Sequence, residues 1–143
     1  MIVNCVLCHP ENENVIWKNE KLRVIQVHDH NFPGYFRVIW NEHVAEMSDL
    51  SEKDQQLLLW VLLIVEKVVR EQMKPDKMNW AQFGNMVPHL HWHLIARYQD
   101  DSHFPESIWG PKQREVSDSR LQQLHTLAQH TAEQLAVVLQ GLS

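Results

Sequence analysis

The chain has 143 residues, 44% hydrophobic and 22% charged, at a mean hydropathy of −0.38, which suits one globular domain with one core. A formal net charge of −5 argues against a nucleic acid polymer as partner, because such a surface repels phosphate, whereas a small nucleotide needs only a local positive site. The longest apolar run, Leu57 to Val65, falls short of the roughly 20 residues that span a bilayer, so no membrane partner is expected.

Met1 to Leu7 has neither the basic start nor the hydrophobic length of a secretory signal. A cytoplasmic protein is expected, in which Cys5 and Cys8 form no structural disulfide. Val15 to Trp17 and Leu22 to Val27 read as two strands of a hairpin joined by Lys18-Asn19-Glu20. After the turn signal Phe32-Pro33-Gly34, the β-rich run Tyr35 to Trp40 predicts a third strand. Ser51 to Asp54 resembles a capping box, and Leu58, Val61, Leu62, Val65, Val68 and Val69 keep helical spacing until Pro75. Two further strands are predicted over Lys77 to Phe83 and Pro88 to Arg97, joined by a short turn at Gly84-Asn85. An irregular segment, Gln99 to Arg114, precedes an amphipathic helix from Ser119 to Leu139 that Gly141 closes.

His89-Leu90-His91-Trp92-His93 puts three imidazoles on alternate positions of the last strand. Strand alternation sends them to one face and Leu90, Trp92 and Leu94 to the other. Three buried rings would leave several ring nitrogens in need of partners, so a functional face is favoured over packing. Two chemistries fit it. All three rings could ligate one zinc whose bound water is the nucleophile. Alternatively, one neutral imidazole could attack phosphorus while its neighbours donate hydrogen bonds to phosphate oxygens.

The run from Pro88 to Arg97 resembles the signature of the histidine triad family: His, apolar, His, apolar, His, then two apolar residues. Pro33 to His43 followed by Met47 to Leu50 is similar to the family segment before the long helix, and the likeness covers about residues 4 to 110. Gly84 to Pro88 and Phe104 to Trp109 are similar to bacterial diadenosine-polyphosphate-hydrolase-like members. The resemblance implies hydrolysis or transfer of dinucleoside polyphosphates or other adenylated compounds through a covalent nucleotidyl-His91 intermediate. His93 and His89 complete the catalytic set, with Asn85 on phosphate oxygens, and no cofactor is required for the covalent step. It also implies substrate contacts from Tyr35, Asp29, His28 and Trp109, and a homodimer. Tyr35 stands where many members carry a fourth histidine, His28 where an acidic ribose contact is expected, and the loop at Gly84 is shorter than a glycine-rich phosphate loop. Tyr35 and the short loop make a nucleotide-binding module that no longer turns over an alternative to the enzyme.

Cys5-Val6-Leu7-Cys8 has the spacing of half a zinc site, and alone it fits reduced, structurally minor thiols equally well. Some family members complete such a pair with the residues that here are His43 and His89, which implies a structural zinc. Trp17, Trp40 and Trp60 are expected in the core, and Lys74, Lys77, Arg97, Lys112 and Arg114 on a solvated surface. The expected fold is α+β: one histidine-triad domain over 1–143, an antiparallel sheet of about five strands with a long covering helix, and 115–143 as a C-terminal helical extension.

Overall fold

The computed structural model describes residues 4–142; Met1 to Val3, which open the stretch read for a secretory signal, and Ser143 lie outside the described residues. Five strands, β1 (Asn14–Lys18), β2 (Leu22–Gln26), β3 (Tyr35–Trp40), β4 (Lys77–Ala81) and β5 (His91–Arg97), form one sheet in the order β1-β2-β3-β5-β4. Every pairing is antiparallel. Helix α1 (Glu52–Met73) covers one face, and α2 (Asp118–Gln140) packs against α1 and β1. The architecture is the expected α+β fold, and among the described residues no helix is long and apolar enough to cross a membrane.

Alternation in the central strands divides the sheet. Phe36, Val38 and Trp40 of β3 and Leu94 and Ala96 of β5 pack under α1, which contributes Leu58, Val61, Leu62, Val65, Val68, Val69 and Met73. The Ser51 hydroxyl accepts from the Asp54 N–H to start α1, and Lys74 ends it in the left-handed region at φ 49° just before Pro75. At the entry to β3, a Cβ on Gly34 would lie 2.7 Å from the Ala96 Cβ, so only glycine lets β3 and β5 approach this closely.

The structure corrects four expectations. β5 begins at His91 rather than Pro88, because the His89 N–H turns back to the Val87 carbonyl and the Leu90 N–H goes to the Val44 carbonyl. Because β4 also ends at Ala81 rather than Phe83, the β4–β5 connection is the whole of 82–90 rather than a short turn at Gly84. Trp60 is 61% exposed on the outer side of α1 instead of in the core. Arg97 is 2% exposed, with Nε and Nη2 donating to the Asp101 carboxylate, Nη1 to Asn79 Oδ1, and Nη2 also to the Glu106 carbonyl. Burial alone would raise the Asp101 pKa, but these bonds and the Tyr98 and His103 N–H groups outweigh it and hold the carboxyl below its usual range.

Candidate active site

Register decides what meets on the face away from α1. β3 and β5 pair Ile39 with His91, Arg37 with His93 and Tyr35 with Ile95, and directly opposed residues of an antiparallel pair share a face. His91, His93 and Arg37 thereby line a cleft of about 440 Å³, a size that suits a small molecule. The 82–90 connection supplies Phe83, Gly84, Asn85, Met86 and Val87 as one wall, and Trp109 the other. Gly84 turns that connection at φ 77°, in the region glycine favours. Trp109 lies edge-on to both Phe83 and His93, with ring centroids 5.1 and 5.2 Å apart.

Hydrogen bonds assign each imidazole its tautomer. His91 Nδ1 is 2.6 Å from the His89 carbonyl. A carbonyl only accepts, so Nδ1 carries the proton and the Nε2 lone pair is bare. Burial holds the His91 pKa below its usual value, with the Arg37 charge adding to the effect, so the ring is neutral at pH 7. His93 is the mirror case. Its Nδ1 faces the Tyr35 hydroxyl at 2.7 Å and Arg37 Nε at 3.3 Å. Arg37 can only donate, so His93 Nδ1 accepts and the proton resides on Nε2. Burial, then the Arg37 charge, then His91 depress the His93 pKa to about 3. Burial also raises the Tyr35 phenol above its usual range, which keeps it a donor.

His89 is fully buried and does not line the cleft. Its Nε2 donates to the Trp40 carbonyl at 2.6 Å, which turns a bare Nδ1 toward Cys5 Sγ at 3.4 Å, Cys8 Sγ at 3.5 Å and His43 Nδ1 at 3.2 Å. The four donor atoms of Cys5, Cys8, His43 and His89 lie within 4.8 Å of one another and could hold a metal ion. Tetrahedral zinc with about 2.3 Å Zn–S and about 2.05 Å Zn–N bonds separates its ligands by about 3.3 to 3.8 Å, so the set fits that ion. Among the described residues His91 and His93 belong to no such cluster. The arrangement with all three triad rings on one metal therefore has no common ligand point.

The residues singled out from sequence thus fall into separate places. His91, His93, Asn85 and Trp109 meet around the cleft, and Tyr35 stands behind His93, 3% exposed. His28 lines a neighbouring trough under residues 4–14. The Asp29 carboxylate accepts from the Asn31 and Phe32 N–H groups and so closes the turn before β3. Arg37 and Phe83 are cleft residues that sequence reasoning missed. The signal for Arg37 was available, since it stands two positions after Tyr35 in a strand and must share its face.

A family model described as the HIT domain matches residues 10–100. A bis(5'-adenosyl)-triphosphatase of Saccharomyces cerevisiae is 32% identical over 73 residues, covering 47% of this chain and 35% of that protein. An AP-4-A phosphorylase of Mycobacterium tuberculosis is 25% identical over 95 residues, 62% of this chain and 48% of that protein. The chain thus spans between a third and a half of the length of these curated relatives. A crystal structure of a histidine triad protein from Marinobacter aquaeolei superposes with a TM-score of 0.67 at 30% identity, covering 87% of this chain and 91% of that one.

Proposed function

The chain belongs to the HIT domain family, and from that membership we propose that it is a nucleotide hydrolase or transferase acting on dinucleoside polyphosphates or other adenylated compounds. One observation carries the proposal: the 2.6 Å contact of His91 Nδ1 with the His89 carbonyl, which leaves Nε2 bare at the mouth of a cleft walled by Asn85 and Trp109.

His91 Nε2 attacks the α-phosphorus, the P–O bond to the leaving group breaks, and that oxygen keeps the electron pair. The imidazolium so formed keeps its Nδ1–H on the His89 carbonyl, which stabilises the new positive charge. His93 Nε2–H and the Asn85 amide donate to the α-phosphate oxygens as charge develops there. Water then attacks the same phosphorus, the P–N bond breaks, the electron pair returns to Nε2, and a nucleoside monophosphate leaves with its proton lost to solvent. Trp109 and Phe83 offer π-faces to a base.

Cys5, Cys8, His43 and His89 would hold a structural zinc, which when bound ties the N-terminal arm to the entry of β5 and takes no part in the transfer. The functional unit is a homodimer, supported by the open edge of β4 and the exposed apolar stripe of α1.

Trapping tests the mechanism. After incubation with α-labelled diadenosine tetraphosphate and a rapid quench, acid-labile label is expected on the wild-type chain and absent from His91→Ala. Label that persists unchanged in His91→Ala removes His91 as nucleophile. Tight nucleotide binding with neither label nor monophosphate release favours the non-catalytic binding module instead.

A further inference from the structure

Among the described residues four arginines are buried or half-buried, and one of them has no counter-ion. Arg23 pairs with Glu13, Arg97 with Asp101 and Arg120 with Asp100. Among the described residues no carboxylate lies within 4.0 Å of Arg37, although it is half-buried in the middle of the sheet. Removing a guanidinium from water without an anion is unfavourable, so the arrangement is complete only when something negative arrives. Its existing bonds leave it capacity for this. Nε donates to His93 Nδ1 and Nη2 to the Tyr35 hydroxyl, both at 3.3 Å, while Nη1 has no partner among the described residues.

Position says where the anion sits. Arg37 lines the cleft of His91 and His93, and it also lines the trough that runs under residues 4–14 toward the end of β2. It is the only charged residue shared by the two depressions among the described residues, which otherwise share Val6 and Leu7. The scissile phosphate is already served by His91, His93 and Asn85 in the proposed function, and the present inference rests on that reading. The guanidinium stands at the border beyond them.

We propose that Arg37 is a specificity-determining residue that binds the phosphate next to the scissile one, so the site selects phosphate chains over adenylates whose leaving group carries no charge. A planar guanidinium presents two donors side by side to phosphate oxygens, and its charge acts through a partly dried wall rather than through bulk water. Among the described residues no other arginine and no lysine lines either depression.

Equilibrium binding tests this without requiring turnover. Titration calorimetry would compare AMP, ADP and inorganic tripolyphosphate on wild type, Arg37→Met and Arg37→Lys, each first verified as folded by circular dichroism. Wild type is expected to hold ADP at least tenfold more tightly than AMP. Arg37→Met should abolish that preference and weaken tripolyphosphate at least tenfold, while AMP changes less than threefold. Arg37→Lys, which keeps the charge and loses the fork, should retain part of the preference and so exclude a purely structural loss. Equal losses for AMP and ADP, or a wild type that does not prefer ADP, would overturn the assignment. The His91 label reports separately on the nucleophile, so a failure of that reading and a failure of this one give different results.

Discussion

Two carbonyls set the roles of adjacent histidines by capturing different nitrogens. Trp40 O takes the proton of His89 Nε2 and leaves Nδ1 bare toward the thiols, whereas His89 O takes that of His91 Nδ1 and leaves Nε2 bare toward the cleft. His93 is set by two side-chain donors instead, Tyr35 and Arg37. That difference has a measurable consequence in pH. The folded His93 pKa, about 3, lies below the 6.5 of an unperturbed ring, so between those values the unfolded chain binds the proton and the folded chain does not. Stability from His93 is therefore fully present above pH 6.5 and declines as pH falls toward 3. Urea unfolding at pH 7 and pH 5 should show wild type losing more stability on acidification than His93→Gln. An equal loss in the two proteins would mean that His93 titrates normally in the fold. The sequence showed three histidines at alternate positions and no means to rank their nitrogens, because tautomers depend on carbonyls and side chains brought in by other strands.

The elements explain why some of the site was legible and some was not. Strands β1, β2 and β3 and helix α1 carry strong periodic or β-branched patterns and lie where the sequence predicts. β5 is different, since its apolar alternation continues backward through Leu90 and His89 although their N–H groups have already turned away from β3. Burial of His89 among Cys5, Cys8 and His43 outweighs strand propensity there, and local pattern contains no sign of a contact with residues more than eighty positions away. Arg97 was hidden for a related reason: its partner Asp101 lies in the irregular segment, where no period points to burial. Purified protein should contain about one zinc per chain by elemental analysis, lose it in Cys8→Ser and in His43→Ala, and keep it in His91→Ala. Chelation should lower the melting temperature, because a bound metal would join the N-terminal arm to the start of β5. Zinc lost from His91→Ala while Cys8→Ser retains it would move the ion to the triad and remove the nucleophile role.

For the molecule as a whole, one side of the sheet is unfinished. The order β1-β2-β3-β5-β4 leaves β1 and β4 at the edges; α2 packs against β1, and the free backbone edge of β4 is a ready template for another strand. Beside it α1 turns Leu59, Trp60 and Leu63 outward at 46%, 61% and 49% exposure, and Glu66 of the same helix borders the Lys77–Ala81 strand. The edge and the stripe are therefore neighbours on one side of the protein. A second copy related by a twofold axis would supply both a strand for the edge and an identical apolar stripe for the helix, as an isologous interface requires. Large exposed apolar side chains grouped in this way mark association surfaces more often than accidents of folding. Sedimentation at micromolar concentration should give a species of twice the 16.9 kDa chain mass, and Trp60→Glu should shift it to the monomer. Because Trp60 lies outside the core, the variant is expected to keep the wild-type circular dichroism spectrum. A wild type that sediments as a monomer up to tens of micromolar, or a Trp60→Glu dimer as tight as wild type, assigns this side of the sheet to something other than a second copy.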